Sequence, residues 1–304
     1  MLECVINVSE GRDSAVLDEL VDACGASLLD WHADPDHHRS VFSLAGPGPR
    51  DAEAASRVLS RTVARRVDLT LHRGEHPRLG AVDVVPFVAL GSTTAAREQA
   101  IEAAHSFARW WSTAFDVPCF FYDDADPQHR DLPGLRRTAF KIRRPDLGPT
   151  LPHHTLGATA VGARKPLIAV NCVLITKEIA IANRIARRTR ESSGGLPGVR
   201  ALPFVLAEQE RAQVSLNLVD LDRTGLEEAL LHVRELAQAE QTEVAAVELV
   251  GLIPRQELDR CSAEFLRWAN IGADAAIEAR IARGGLLGIA AAALDAEHPE
   301  RGGD

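Results

Sequence analysis

The order of apolar runs and turn residues in the second half of the chain restricts the fold more than any other feature. Residues 166–174 form an apolar run bounded by turn residues, the length of one buried strand. Ile179, Ala182, Ile185 and Ala186 mark one face of a helix, with Thr176 as its expected N-cap. The stretch 191–198 (ESSGGLPG) holds three glycines and a proline and must be a loop. Residues 199–206 and 212–219 read as a hairpin around the polar turn 208–210. A helix from Thr224 to about residue 241 and a strand over 243–252 close the series. The order is β-α-β-β-α-β, the ferredoxin-like arrangement.

The first half begins the same way. Strands are expected at 3–8, 27–32, 40–45 and 82–88, with helices at 14–24 and 50–66. A long helix over 93–115, capped by Thr94, and a strand over 117–122 then follow. We therefore expect an α/β (α+β) chain of two related ferredoxin-like subdomains, 1–163 and 164–290, joined near 162–166. Each should carry its helices on one face of a sheet. Residues 285–294 are short, apolar and alanine-rich, fitting a packed or frayed helix. The charged, Gly-rich end, 291–304, is expected to lack fixed structure.

Composition narrows the function. The chain has 304 residues, 46% of them apolar, enough for a sizeable core. Its net charge of −9 argues against non-specific nucleic-acid binding, and an acidic ligand would need locally clustered Arg and Lys. Five cysteines without a CxxC spacing read as reduced, partly buried thiols of a cytoplasmic protein. The N-terminus lacks the pattern of a signal peptide, and no apolar run reaches the roughly 18 residues of a membrane helix.

Three stretches carry candidate chemistry. In 71–87 (LHRGEHPRLGAVDVVPF), His72 and His76 stand four apart, but Gly74 and Pro77 argue against a helix. A loop leading into a strand is left, and loops hold functional side chains more often than cores do. Read alone, a single loop histidine is still more often a surface residue than a catalyst. In 157–171 (GATAVGARKPLIAVN), small residues admit either a flat ligand or a close backbone contact at a hinge. In 211–220 (RAQVSLNLVD), Gln213, Ser215 and Asn217 share one face of a strand, placed to read a polar ligand or merely to be solvated. The remaining histidines lack metal-ligand spacing, so no metal is expected. No dinucleotide or P-loop glycine pattern occurs. The basic stretch 135–144 (LRRTAFKIRR) reads as an exposed solvated face, with a positive rim that attracts an acidic ligand as the alternative.

Together these stretches resemble the glutamate formiminotransferase family. The matching blocks are ECVINVSEGR (3–12), LLDWHADPDHHRSVF (28–42), HRGEHPRLGAVDVVPF (72–87), PDLGP (145–149), LGATAVGARKPLIAVN (156–171), RESSGGLPGVRAL (190–202), AQVSLNLVD (212–220) and ELVGLIP (248–254). They occur in family order and span about residues 2–268. The resemblance implies two α/β subdomains with a cleft between them, a homodimer, and transfer of the formimino group of N-formiminoglutamate to N5 of tetrahydrofolate. Tetrahydrofolate is then a co-substrate. A stand-alone transferase is expected, without the cyclodeaminase domain fused to it in animals.

By the same resemblance the catalytic histidine of the GEHPR motif is His76, and the folate-contacting segment covers Gly148, Pro149, Gly157, Ala158 and Thr159. Arg39, Arg78 and Arg164 are motif-embedded cations suited to bidentate carboxylate binding. Asp83 and Glu75 are candidates to orient the His76 ring. A bulky residue at Gly157 should block folate while leaving the fold intact, and His72 carries no role. His38 stands where the family commonly has Asn, and Pro166 and Cys172 where it more often has Phe and Asn. Expected on the cleft side, these departures keep two rivals open: a related folate-dependent transferase with another donor or acceptor, and a non-catalytic folate-binding protein.

Overall fold

The computed structural model describes residues 1–46, 48, 50–73, 78–91, 93–206 and 209–284. The chain forms two compact units. One takes Met1–Arg164 and resumes at Ala279, and the other is Lys165–Glu278.

The first unit runs β1 (Leu2–Val8), α1 (Ser14–Cys24), β2 (Leu28–Asp34), β3 (Arg39–Ala45), α2 (Asp51–Arg66), β4 (Val82–Ala89), α3 (Thr94–Phe115), β5 (Cys119–Asp123), α4 (Leu132–Thr138) and β6 (Thr159–Arg164). Its sheet has the order β2-β3-β1-β4-β6-β5. The first four strands pair antiparallel, while β6 lies parallel to both β4 and β5. The second unit runs β7 (Ile168–Leu174), α5 (Ile179–Thr189), β8 (Val199–Leu206), β9 (Arg211–Leu218), α6 (Leu226–Ala239) and β10 (Val244–Val250). Its order, β10-β7-β9-β8, is the order of β4-β1-β3-β2 in the first unit. The expected ferredoxin-like arrangement is therefore present twice.

Alternation explains which face is buried. On β1, Leu2, Cys4, Ile6 and Val8 point to one side and pack with Leu20 of α1, Leu59 of α2 and Phe107 and Trp111 of α3. On β9, Ala212, Val214, Leu216 and Leu218 are buried in the same alternating manner, with α5 packed on β8 and β9. Cys172 is fully buried and pairs across the ladder with Val214. It belongs to that apolar core and not to a ligand face, contrary to the sequence expectation.

Helices on a single face hold for β1–β3 but not for the whole first sheet. Helix α4 packs Leu135 and Ala139 against Val84, Phe120, Tyr122 and Ala160, a second core beside the main one. Strands β4, β6 and β5 run parallel and are apolar on both sides, so both sides need cover. Strand β6 itself was read from sequence as a hinge or ligand contact. Its Ala160, Val161 and Ala163 are buried, and Gly162 lies so close to the Tyr122 ring that a Cβ would sit 2.5 Å from it.

Helix caps shift by a residue or two. Thr93, not Thr94, caps α3 by accepting from the Ala96 N–H. The N-cap of α5 is Glu178, and Thr176 Oγ1 instead accepts from the Glu178 N–H. Thr224 donates its hydroxyl to the Pro197 carbonyl, while Glu257 caps α6 by accepting from the Leu226 N–H at 2.6 Å. The loop over 191–198 contains a 3-10 turn at Glu191–Ser193. From Ala279 the chain belongs to the first unit, where Arg280 Nη1 donates to the Leu29 carbonyl. The readings made for 285–304 lie outside the described residues.

Gly157 overturns one expectation. It has φ +68°, and a Cβ there would meet the Leu79 carbonyl oxygen at 2.3 Å and Gly80 Cα at 2.9 Å. The Ala158 N–H donates to Leu79 and the Ala81 N–H to Leu156, so two backbones run in direct contact. Gly157→Leu is expected to unfold or strongly destabilise the protein, read as a large fall in Tm. A Gly157→Leu protein with near wild-type Tm would contradict this packing role.

Candidate active site

Asp83 organises the polar part of the first unit. Asn7 pairs with Val84 and Val8 with Val82, which leaves Asp83 as an extra residue in β4. Such a bulge re-aims a side chain. Val82 and Val85 stay in the helix-side core, whereas Asp83 reaches Arg136 of α4 on the opposite side.

The Asp83 carboxylate is fully buried and accepts four hydrogen bonds. The Leu79 N–H (2.6 Å) and Arg136 Nη1 (3.2 Å) donate to one oxygen, Arg39 Nη1 (2.5 Å) and Arg136 Nη2 (2.6 Å) to the other. A carboxylate has about four such acceptor positions, so all are in use. Asp83 therefore anchors two guanidinia. Among the described residues these bonds use every acceptor position, which counts against the sequence expectation that Asp83 orients the His76 ring or meets a substrate. Burial alone would raise its pKa, but Arg39, Arg136 and the hydrogen bonds outweigh burial and hold it well below the usual carboxylate range.

Arg39 also donates Nε and Nη2 to Asn7 Oδ1, at 3.2 and 2.8 Å. Arg136 and Arg143, read as part of an exposed basic face, are tied down instead. Their side chains are 18% and 6% exposed, and Arg143 pairs with Asp146 and Asp126. Arg137, Lys141 and Arg144 remain exposed. Arg78 lies in the field of Asp83, Arg39, Arg12 and Arg136. Burial lowers its pKa, Asp83 opposes that, and the other cations reinforce it.

His72 is buried, not free. Its Nδ1 accepts from Arg78 Nη1, and its Nε2–H donates to the His38 carbonyl at 3.0 Å. Burial first, then the charges of Arg78 and His38, bring its pKa down to about 4. The His38 ring stacks on it with centroids 3.8 Å apart. His38 Nδ1 lies 2.8 Å from the Arg73 carbonyl oxygen and Nε2 lies 3.1 Å from Glu10 Oε1. His76, with Gly74, Glu75 and Pro77, lies outside the described residues.

Among the folate candidates, Ala158 and Thr159 are fully buried. Thr159 Oγ1 donates to the Val82 carbonyl (2.7 Å) and accepts from Trp111 Nε1 (2.9 Å), so the hydroxyl serves the fold. Gly148 and Pro149 are exposed. Arg164, at the end of β6, bonds the buried Tyr122 side chain; burial raises the Tyr122 pKa and Arg164 partly opposes that. In the second unit, Gln213, Ser215 and Asn217 share a face of β9, opposite Val173, Asn171 and Ala169 of β7. Gln213 is fully buried, and among the described residues neither amide atom has a hydrogen-bond partner. An unmade bond of this kind costs about 1–3 kcal/mol. No group of three metal-ligating side chains occurs among the described residues, and no described helix is long and apolar enough to cross a membrane.

The comparisons with known proteins agree in order and extent. Residues 1–164 match the N-terminal subdomain of the formiminotransferase domain, and residues 169–291 match the formiminotransferase domain. The chain is 35% identical over 273 residues to the glutamate formimidoyltransferase of Streptococcus pyogenes serotype M1, covering 85% of this chain and 90% of that protein. It is 33% identical over 275 residues to the glutamate formimidoyltransferase of Thermoplasma acidophilum, covering 85% and 89%. The formimidoyltransferase-cyclodeaminase of Mus musculus is 34% identical over 278 residues, which cover 85% of this chain and 51% of that longer protein. With both parts of the domain matched in order, the chain belongs to the formiminotransferase family.

Proposed function

We propose that the protein is a glutamate formiminotransferase, moving the formimino group of N-formimino-L-glutamate to N5 of tetrahydrofolate. One structural observation carries the reading. In a chain of net charge −9, Arg39, Arg78 and Arg136 gather around one buried carboxylate, which suits a donor with two carboxylates. The names of the relatives supply the reaction class.

The donor carbon is an amidine carbon. The N5 lone pair attacks it, the C=N π electrons move to the imino nitrogen, and a tetrahedral intermediate forms. Collapse restores C=NH and breaks the bond to the glutamate nitrogen, which leaves as an amine once protonated. One group that takes the N5 proton and delivers a proton to the leaving nitrogen suffices, and we assign it to His76. Arg39 and Arg78 bind donor carboxylates, and Ser215 and Asn217 read polar groups of tetrahydrofolate. The reading needs proton transfer and positioning but no metal. It carries with it a homodimer and a cytoplasmic setting.

The decisive assay incubates the protein with N-formiminoglutamate and tetrahydrofolate, with and without chelator, and follows glutamate by mass spectrometry. Parallel arms use formylglutamate and formiminoglycine. Glutamate release from formiminoglutamate, unchanged by chelator, is expected. Turnover of another donor alone would assign the protein to a different transfer reaction. Folate binding without turnover of any donor would make it a binding protein. Loss of activity with chelator, restored by a divalent ion, would replace the metal-free mechanism.

A further inference from the structure

The His38–His72 pair fixes a proton arrangement as well as a position. His72 has one N–H in its neutral form and gives it to the His38 carbonyl. The lone pair must then be on Nδ1, which faces the Arg78 guanidinium. His38 keeps this arrangement in place from three directions. Its ring lies flat on His72, its Nδ1 sits against the Arg73 carbonyl of the next residue, and its Nε2 sits against Glu10. Glu10 is itself fixed by the N–H groups of Gly11, Arg12 and Asp13. Backbone geometry contributes too, since His38 has φ +49°.

We propose that His72, locked by His38, is a positioning residue for Arg78, holding its guanidinium ready for a carboxylate of the donor. The proposal rests on the reading of Arg78 as a substrate cation. An imidazole suits the task better than a carboxylate does. It accepts a hydrogen bond from the guanidinium without neutralising it, so the partner does not compete with an anionic ligand for charge. His72 can do this only while neutral, and it stays neutral across the ordinary assay range because its pKa lies near 4.

Steady-state kinetics with N-formiminoglutamate and tetrahydrofolate test the idea. His72→Ala is expected to raise the donor KM about 10-fold, the scale of one hydrogen bond to a charged group, with kcat changed much less. His72→Asn, whose Oδ1 stands near the position of Nδ1, should restore most of the loss. His72→Leu fills the buried volume without an acceptor and stands in where His72→Ala does not accumulate. In an Arg78→Met background, His72→Ala or His72→Leu should raise KM no further. Wild-type donor KM in Arg78→Met would remove the reading of Arg78 and the proposal with it. A raised KM in Arg78→Met, with unchanged KM in His72→Ala and His72→Leu, would overturn the proposal alone. Losses that multiply in the double variant, or no rescue by Asn, would also overturn it.

Discussion

His76→Ala is expected to lower kcat by about 10²–10⁴, with the KM values for both substrates changed much less. Each proton movement in the proposed reaction is assigned to one imidazole, so its loss falls on the transition state and not on ground-state binding. The choice of control matters. His72, four residues earlier, looked from sequence like a matched bystander, but it is buried and bonded to Arg78 and His38. His129 is a sounder control, with a side chain 62% exposed, and its φ of +49° makes Asn the fitting replacement. His129→Asn should turn over normally. His76→Ala with nearly wild-type kcat would show that water or another group moves the protons, and the mechanism would have to be abandoned even if the reaction stands.

The two sheets were legible in the sequence because their signals are local. Alternation along 2–8 and 211–218, and helical spacing in 14–24, set strand and helix without reference to partners. Strand β6 escaped because Ala160, Gly162 and Ala163 carry little strand preference. It forms because Tyr122 and α4 close over small side chains. The Asp83 cluster escaped for another reason. Arg136 is 53 residues from Asp83, and inside LRRTAFKIRR it looks like any solvated cation. One signal did point to it. A charged residue between Val82 and Val84 in an otherwise apolar strand must find a buried counter-charge. The His38 departure has a similar explanation. Its left-handed φ favours Asn, the residue the family commonly has there, and His38 occupies the position with its ring committed to Arg73 and Glu10.

Asp83→Ala is expected to destabilise the protein by about 3–5 kcal/mol, the scale for removing one partner of a buried ion pair. The loss is large because two cations depend on this carboxylate. Arg39 is 12% and Arg136 18% exposed, so both guanidinia would be left largely buried without their counter-charge. The Leu79 N–H would lose its acceptor as well. Asp83→Asn keeps the shape but turns one acceptor into a donor facing an arginine, so it should rescue little. Urea unfolding should show a lower midpoint with an unchanged slope. The pH dependence has a definite sign. The folded pKa of Asp83 lies below its unfolded value of about 3.9, so its contribution is complete above that value and is lost as pH falls below it. Asp83→Asn should therefore flatten the acid limb of the stability curve below about pH 4, while His72, neutral when folded, acts over the higher window between its unfolded value of 6.5 and about 4. A change of less than about 1 kcal/mol in Asp83→Ala, typical of an exposed pair, would mean that Arg39 and Arg136 find other partners or reach water, and that the bulge in β4 is not what holds them.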